Sequence, residues 1–356
     1  MRDNRPVERY WERRHPFVEL PPGVIDRLVA RALPGERVVS SRPLTEGLRN
    51  TNYRLELGGG AAAVLRLYLA DPEACGREAA ILAAMAERLP VPRVLHSDAT
   101  ATPPFALLEW LDGLPLHEVL DAADAATVLD LAEVCGFALA QVHSMRFPAP
   151  GFFDRAMRVD RPMPAWAPTV LATLAGPAET RLGPELSVGV RRAVESNASL
   201  VDAVWSEAVL VHADYKPWNL LVGRAAKART EPGPAAAPGF GPVPTGPAPG
   251  LGATRTSGAA VWQLTGVLDW EFACAGCRLI DFATFLRDEA VRPAGFAGAF
   301  ADAYRAGGGS LPPEWRRLTR MVDLLNLLQL LDPLQPLDSR GTEDLRGLVA
   351  ATVVMA

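Results

Sequence analysis

Cysteine is scarce in this 356-residue sequence and nowhere forms a metal-binding pattern. The four cysteines stand at 75, 135, 274 and 277, and the one C-x-x-C, at Cys274 and Cys277, has neither a second pair nor a nearby His to complete a zinc site. Reduced core thiols are the expected state. A surplus of positive charge is also missing. Lys and Arg number 36 against 41 Asp and Glu, a net charge of −5, and no basic patch is interleaved with aromatics, so no nucleic-acid partner is expected. The opening M-R-D-N-R-P-V-E-R-Y-W-E-R-R is densely charged and lacks the apolar core of a signal peptide. No long hydrophobic run appears: the most apolar helix candidate, Met321 to Leu331, carries Asp323, Asn326 and Gln329 and is too short to span a bilayer. The expectation is a cytoplasmic protein without a membrane partner.

A hydrophobic share of 49% and a charged share of 22% are those of a globular chain, and the length suffices for two lobes. Proline and glycine, at 32 and 30 residues, exceed what packed elements need, and one stretch explains the excess. In residues 223–260 Pro, Gly and Ala dominate without a period, which predicts a disordered insertion.

Around that insertion the periodicities are clear. Residues 21–32 read as a short helix with proline at its start and Gly35 beyond its end, packing on the first lobe. Tyr53, Leu55 and Leu57, then Val64, Leu65 and Leu67, flank a triple glycine and read as a β-hairpin. The turn before it carries Gly47, Asn50 and Thr51, whose backbone N–H groups and hydroxyl suit phosphate oxygens, although such residues also serve plain turns. Asp71-Pro72-Glu73 opens a helix on which Glu78 shares the apolar stripe of Ile81, Leu82 and Met85. A buried carboxylate there needs a cation, and Arg66 is the candidate; otherwise Glu78 sits solvated at the stripe's edge. Strand-like runs follow at 91–95 and 105–111, and Asp112-Gly113 marks a crossover to a mostly helical second lobe. A long helix is expected over 127–145, with His143 at its end as a packed core residue.

The stretch Val209 to Val222, V-L-V-H-A-D-Y-K-P-W-N-L-L-V, carries the chemistry. Two apolar runs hold a polar loop in which Asp214, Lys216 and Asn219 converge, stiffened by Pro217. A carboxylate to orient a hydroxyl, an amide oxygen for Mg²⁺ and a nearby cation are what phosphoryl transfer requires. A strand at 261–269 that pairs with Leu220 to Val222 would return Asp269 to Asn219, since closing a long loop costs only logarithmically more. Asp281 then opens an apolar helix as an N-cap or a brace for the loop.

These residues resemble the aminoglycoside phosphotransferase-like kinases, a family that includes choline, homoserine and fructosamine kinases. H-A-D-Y-K-P-W-N at 212–219 and L-D-W-E at 268–271 with Asp281 beyond are its most specific parts; E-G-L-R-N-T-N-Y at 46–53, V-L-R-L at 64–67, Glu78 and Ala140 to Ser144 agree more loosely. The resemblance implies an α+β, two-lobed protein-kinase-like fold, with an N-terminal extension at 1–40, a nucleotide-binding lobe at 41–111 and a catalytic lobe at 112–356. It implies Asp214 as catalytic base, His212 and Lys216 as its neighbours in catalysis, Asn219 and Asp269 as Mg²⁺ ligands, and Asp281 as structural support. Arg66 and Glu78 become the phosphate-positioning pair, Gly47 to Thr51 the phosphate-covering turn, and the backbone of Glu109 to Leu111 the adenine contact. The implied reaction takes the γ-phosphoryl group of ATP or GTP to a hydroxyl of a small molecule. A metabolic kinase of an amino alcohol, sugar or amino acid is one alternative, and a nucleotide-binding pseudokinase or scaffold another. Two residues depart from the pattern: Ala213 replaces a usual Gly, expected to matter little if its dihedrals are ordinary, and Arg66 replaces the Lys of protein kinases.

Overall fold

Period-two burial along Thr51–Leu57, with Tyr53, Leu55 and Leu57 inward, sets the first sheet. The structure is a computed structural model and describes residues 16–45, 49–224, 261–331 and 339–356. In the first lobe, α1 (Pro22–Ala32) is followed by β1 (Val38–Leu44), β2 (Thr51–Leu57), β3 (Ala62–Leu67), α2 (Ala74–Met85), β4 (Val94–Asp98) and β5 (Phe105–Glu109). The strands form one antiparallel sheet in the order β1-β2-β3-β5-β4. As expected, α1 packs on this lobe, burying Ile25 and Val29 in a core shared with Leu55, Leu65 and Leu107. The sheet starts at Val38, so β1, which has no clean alternation, lies across the anticipated boundary at residue 40. Helix α2 begins at Ala74; Asp71 closes a turn before it by accepting from the Glu73 N–H at 3.1 Å.

The crossover runs through Asp112 and Gly113 into β6 (Leu114–Pro115), which pairs with a strand of the second lobe. A Cβ at Gly113 would collide with the Thr265 hydroxyl and press on Leu221, so glycine lets the two segments close. The second lobe continues with α3 (Leu116–Ala122), α4 (Ala125–Val142), β7 (Gly151–Phe153), β8 (Val159–Pro162), α5 (Trp166–Thr173), α6 (Glu179–Leu182), α7 (Pro184–Trp205) and β9 (Val209–Val211). After the loop at 212–219 come β10 (Leu220–Arg224), β11 (Trp262–Val267), β12 (Cys274–Gly276), α8 (Leu279–Leu286), α9 (Phe296–Ala306), α10 (Trp315–Leu330) and α11 (Ser339–Met355).

Helix α4 is the centre of this lobe. Among the described residues it is the one helix long and apolar enough to cross a membrane by length and composition, which corrects the choice of Met321 to Leu331 as the most apolar segment. More than half of it is buried, and Asp124 caps it by accepting from the Thr127 N–H at 2.8 Å. Its packing against α9 needs Gly136, because a Cβ there would strike the Phe300 carbonyl. All four cysteines are free and buried, as expected for core thiols.

The hairpin anticipated from Leu220 to Leu268 is present: Leu220 faces Val267, Leu221 faces Gly266 and Arg224 faces Trp262. Gly223 and Arg224 belong to β10, so the segment called an insertion starts later than residue 223; residues 225–260 lie outside those described, as does Gly47. Arg224 also stacks over the Trp262 ring at 4.8 Å, which closes the hairpin tip on both register and side-chain grounds. Replacing residues 225–260 with a short Gly-containing turn is therefore expected to keep the thermal unfolding midpoint at or above that of the intact chain, measured by circular dichroism. A clear fall would mean that the removed residues carry part of the fold.

Candidate active site

Strand β9 is fully buried and hydrogen-bonded to β12, and it delivers the fully buried His212 to the start of the loop. The chain must turn there, and Ala213 does so with φ at +63°, in the left-handed region. Asp281, fully buried in the first turn of α8, holds the turn: Oδ2 accepts from the His212 N–H at 2.8 Å and Oδ1 from the Ala213 N–H at 2.7 Å. This is a brace and not an N-cap of its own helix. Since an ionised carboxylate only accepts, His143 donates from Nε2 to Asp281 at 3.0 Å, and its Nδ1 accepts from the Tyr304 hydroxyl at 2.9 Å. His143 is structural, as expected, and the element it supports through Asp281 is the His212–Ala213 turn.

The ring of His212 is fixed the same way. Nε2 donates to the Leu268 carbonyl at 3.0 Å, which leaves Nδ1 to accept from the Asp214 N–H at 3.2 Å. Beyond Asp214 the loop closes in a 3₁₀ turn over Pro217–Asn219, with Trp218 stacked on His117 of α3 at 4.4 Å. The Asp214 carboxylate receives Lys216 Nζ at 3.0 Å on Oδ1 and Asn219 Nδ2 at 2.8 Å on Oδ2. Burial pushes its pKa above the usual value; Lys216 opposes the shift, and the charge of Asp269 adds to it.

The hairpin sets Asp269. Because the Leu268 N–H donates to the Asn219 carbonyl at 2.8 Å, the residue after Leu268 emerges beside Asn219. Asp269 also has a left-handed backbone, with φ at +65°, and Arg66 Nη2 lies 2.6 Å from its Oδ1. Burial works against the Asp269 charge, yet Arg66 holds the carboxyl below its ordinary range.

Arg66 and Glu78 do meet, with a refinement. Arg66 Nε stands 3.4 Å from Glu78 Oε2 without hydrogen-bond geometry, and the guanidinium's short contact goes to Asp269 instead. The strong partners of Glu78 are the Tyr68 hydroxyl at 2.6 Å and the Trp270 N–H at 3.0 Å. Glu271, also buried, accepts from Asn50 Nδ2 at 3.0 Å, and burial followed by the charge of Asp269 pushes its pKa up to about 7. Tyr68 and Glu271 were not singled out from the sequence. Tyr68 stands two residues from Arg66 at the end of a strand, where alternation puts both on one face, whereas Glu271 follows a left-handed Asp269 outside any strand and had no such signal.

The other expected site residues have these partners within the chain. Thr51 is fully buried and its hydroxyl accepts from the Val18 N–H at 3.1 Å. The Asn50 carboxamide serves Glu271 and the Leu69 N–H. The Glu109 N–H donates to the Arg93 carbonyl at 2.9 Å and its carboxylate grips the Arg93 guanidinium, while Leu111 lies against Gly266. Ala213 is not a neutral exchange for glycine, because its dihedrals are left-handed.

A two-lobed kinase-like architecture, with a braced Asp-Lys-Asn loop beside Asp269 and Arg66 reaching that carboxylate from the other lobe, defines a phosphotransferase. The profile of the phosphotransferase enzyme family matches residues 40–229 and 259–346, and the chain belongs to that family. No curated protein matches. Solved structures share the fold at low identity. A proposed fructosamine-3-kinase from Thermobifida fusca YX-ER1 is 19% identical over 93% of this chain and 99% of its own, with a TM-score of 0.57. A thermostable mutant of aminoglycoside phosphotransferase APH(4)-Ia, in ternary complex with ADP and hygromycin B, is 16% identical over 93% of this chain and 98% of its own, with a TM-score of 0.58. A GDP complex of an aminoglycoside 2'-phosphotransferase-IIIa mutant is 14% identical over 94% and 95%, with a TM-score of 0.61.

Two stability predictions follow from the brace. A left-handed non-glycine residue costs ~1–2 kcal/mol, whereas glycine adds ~0.4–1 kcal/mol of unfolded-state entropy, so Ala213→Gly is expected to stabilise by ~0.5–1 kcal/mol in denaturant unfolding. Burial holds the His143 pKa below the ordinary value of about 6.5, with the hydrogen bond to Asp281 opposing. As pH falls from about 7.5 to about 5.5 the unfolded chain takes up a proton that native His143 refuses, and stability drops. His143→Gln is expected to flatten that part of the thermal midpoint's pH dependence; an unchanged slope would remove His143 from the balance.

Proposed function

We propose that this chain moves the γ-phosphoryl group of ATP or GTP to a hydroxyl of a small molecule, directly and without a phosphoenzyme. The observation that carries the reading is the meeting of Asp214, Asn219 and Asp269 at the base of one hairpin, tied by the Leu268-to-Asn219 backbone bond. ADP and GDP in structures of the same fold support a nucleotide as donor.

The donor set fits Mg²⁺. Asn219 spends its amide nitrogen on the Asp214 side chain and carbonyl, which turns the amide oxygen away from Asp214, and Asp269 is 31% exposed with one oxygen on Arg66. Among the described residues no three His, Cys, Asp or Glu side chains cluster as a complete metal cage. Two hard oxygens suit an ion that keeps waters and phosphate oxygens in its remaining positions. When bound, Mg²⁺ supplies neutralisation of charge on the phosphate oxygens.

The chain's own residues supply the rest. Asp214 orients the acceptor hydroxyl and takes its proton as the acceptor oxygen bonds to phosphorus and the bond to the nucleoside diphosphate breaks. Lys216, 3.0 Å from Asp214, brings positive charge to the transferred group, and His212 keeps the loop in register with Leu268. Arg66 spans the phosphate side of the cleft. The acceptor is a hydroxyl compound of aminoglycoside-like or metabolite type, and the four buried free thiols agree with a reducing, cytoplasmic setting.

The test is nucleotide consumption by the purified chain with Mg²⁺ across a panel of aminoglycosides, macrolides, sugars, amino alcohols and amino acids. Asp214→Asn is expected to lower kcat by ~10²–10⁴-fold with an unchanged thermal midpoint. Activity that survives undiminished in this variant would remove Asp214 as the base.

A further inference from the structure

We infer that Tyr68 is a positioning residue for Asp269, acting through Glu78 and the Trp270 backbone from the opposite lobe. The inference rests on the proposed role of Asp269 as a metal ligand.

Tyr68 stands one residue past β3, on the face that carries Arg66, and is 1% exposed. Its hydroxyl donates to Glu78 Oε2 at 2.6 Å, a short charge-assisted bond inside the protein. The other oxygen of Glu78 accepts from the Trp270 N–H at 3.0 Å. Asp269 is therefore gripped from both lobes. On its N-terminal side, Leu268 is bound at its N–H by the Asn219 carbonyl and at its carbonyl by His212. On its C-terminal side, Trp270 is bound by Glu78 of α2. Between them Asp269 keeps a positive φ, a conformation that a non-glycine residue holds only while its surroundings impose it.

Loss of the Tyr68 hydroxyl leaves Glu78 Oε2 with Arg66 Nε, 3.4 Å away, as its remaining close partner. The carboxylate then turns toward Arg66. Either the Trp270 N–H loses its acceptor, or the guanidinium leaves Asp269, and both disturb the same carboxylate. The consequence reaches metal binding before it reaches the acceptor, because Asp214 and Asn219 are held by the second lobe alone.

The experiment uses the full chain with Mn²⁺ as the metal probe and ATP as the nucleotide. Mn²⁺ affinity is read by electron paramagnetic resonance with saturating ATP, and ATP affinity in EDTA by calorimetry. Tyr68→Phe is expected to weaken Mn²⁺ binding about tenfold, the usual range for a partner that orients a ligand, and to leave metal-free ATP affinity within about twofold. Glu78→Ala is expected to weaken Mn²⁺ at least as much, and adding Tyr68→Phe to it to change nothing further. Unchanged Mn²⁺ affinity in Tyr68→Phe, or a full additional loss in the double variant, would overturn the inference. Should Tyr68→Phe not fold, wild-type Mn²⁺ affinity in Glu78→Ala overturns it equally. An unmodified chain that binds no Mn²⁺ with nucleotide refutes the proposed function instead, so the two failures are distinguishable.

Discussion

One buried carboxylate holds the site together. Asp281 has no exposed surface and takes hydrogen bonds from two successive backbone N–H groups and from an imidazole. A charge so buried is tolerable only when its oxygens are fully used. The two backbone bonds impose the reversal at Ala213, and that reversal aims Asp214 at Lys216 and Asn219 while folding the His212 ring back onto Leu268. Behind Asp281 the chain of bonds continues from His143 to the Tyr304 hydroxyl, which accepts from Arg278 Nη1 at 3.1 Å, and Arg278 in turn pairs with Glu207. The loop from His212 to Asn219 is thus anchored through α4, α8 and α9.

The charge balance of the cleft explains the arginine at position 66. Three carboxylates, Asp269, Glu78 and Glu271, lie 2.6, 3.4 and 3.8 Å from guanidinium nitrogens of this one side chain. An ammonium is a single point and could not span them, whereas a planar fork presents several N–H groups in fixed directions. The three are not treated alike. Asp269, closest to Arg66, is held charged, while Glu271, farther away and buried beside that charge, has a pKa pushed up to about 7. Asn50, donating to Glu271, links the turn before β2 to this balance from 221 residues away in sequence.

Much of this was legible in the sequence, and for specific reasons. The stripe of Ile81, Leu82 and Met85 forced Glu78 inward, and apolar runs on either side of 225–260 forced a hairpin that returns Asp269 to Asn219. Periodicity carries such information because burial is a property of whole faces. The side chains of turn residues were less legible. Thr51 and Asn50 fit a phosphate turn by composition, but their partners, Val18 and Glu271, come from distant segments that no local pattern reveals. Strand β12 was invisible for a related reason: three residues, Cys274 to Gly276, are too few to alternate, and they form a strand because β9 and β7 lie on either side. The backbone of Ala213 could not be read from an alanine, since Asp281 and not the residue itself selects it.

The place of the long connection between β10 and β11 follows from the same geometry. Asn219 and Asp269 sit at the closed base of the hairpin, where the Leu268 N–H meets the Asn219 carbonyl. The connection departs after Arg224, five residues further along an extended strand, or roughly 16 Å from the base at ~3.3 Å per residue. Register over that distance is set by Leu220, Leu221 and Val222 against Val267, Gly266 and Leu264, with Leu220 and Val222 fully buried. A one-residue slip would turn those buried side chains to the opposite face, so the core fixes the pairing whatever length of chain joins the tips. The candidate metal site is for this reason independent of residues 225–260: its two ligands are specified by the buried end of the hairpin, and chain added at the other end leaves their spacing unchanged.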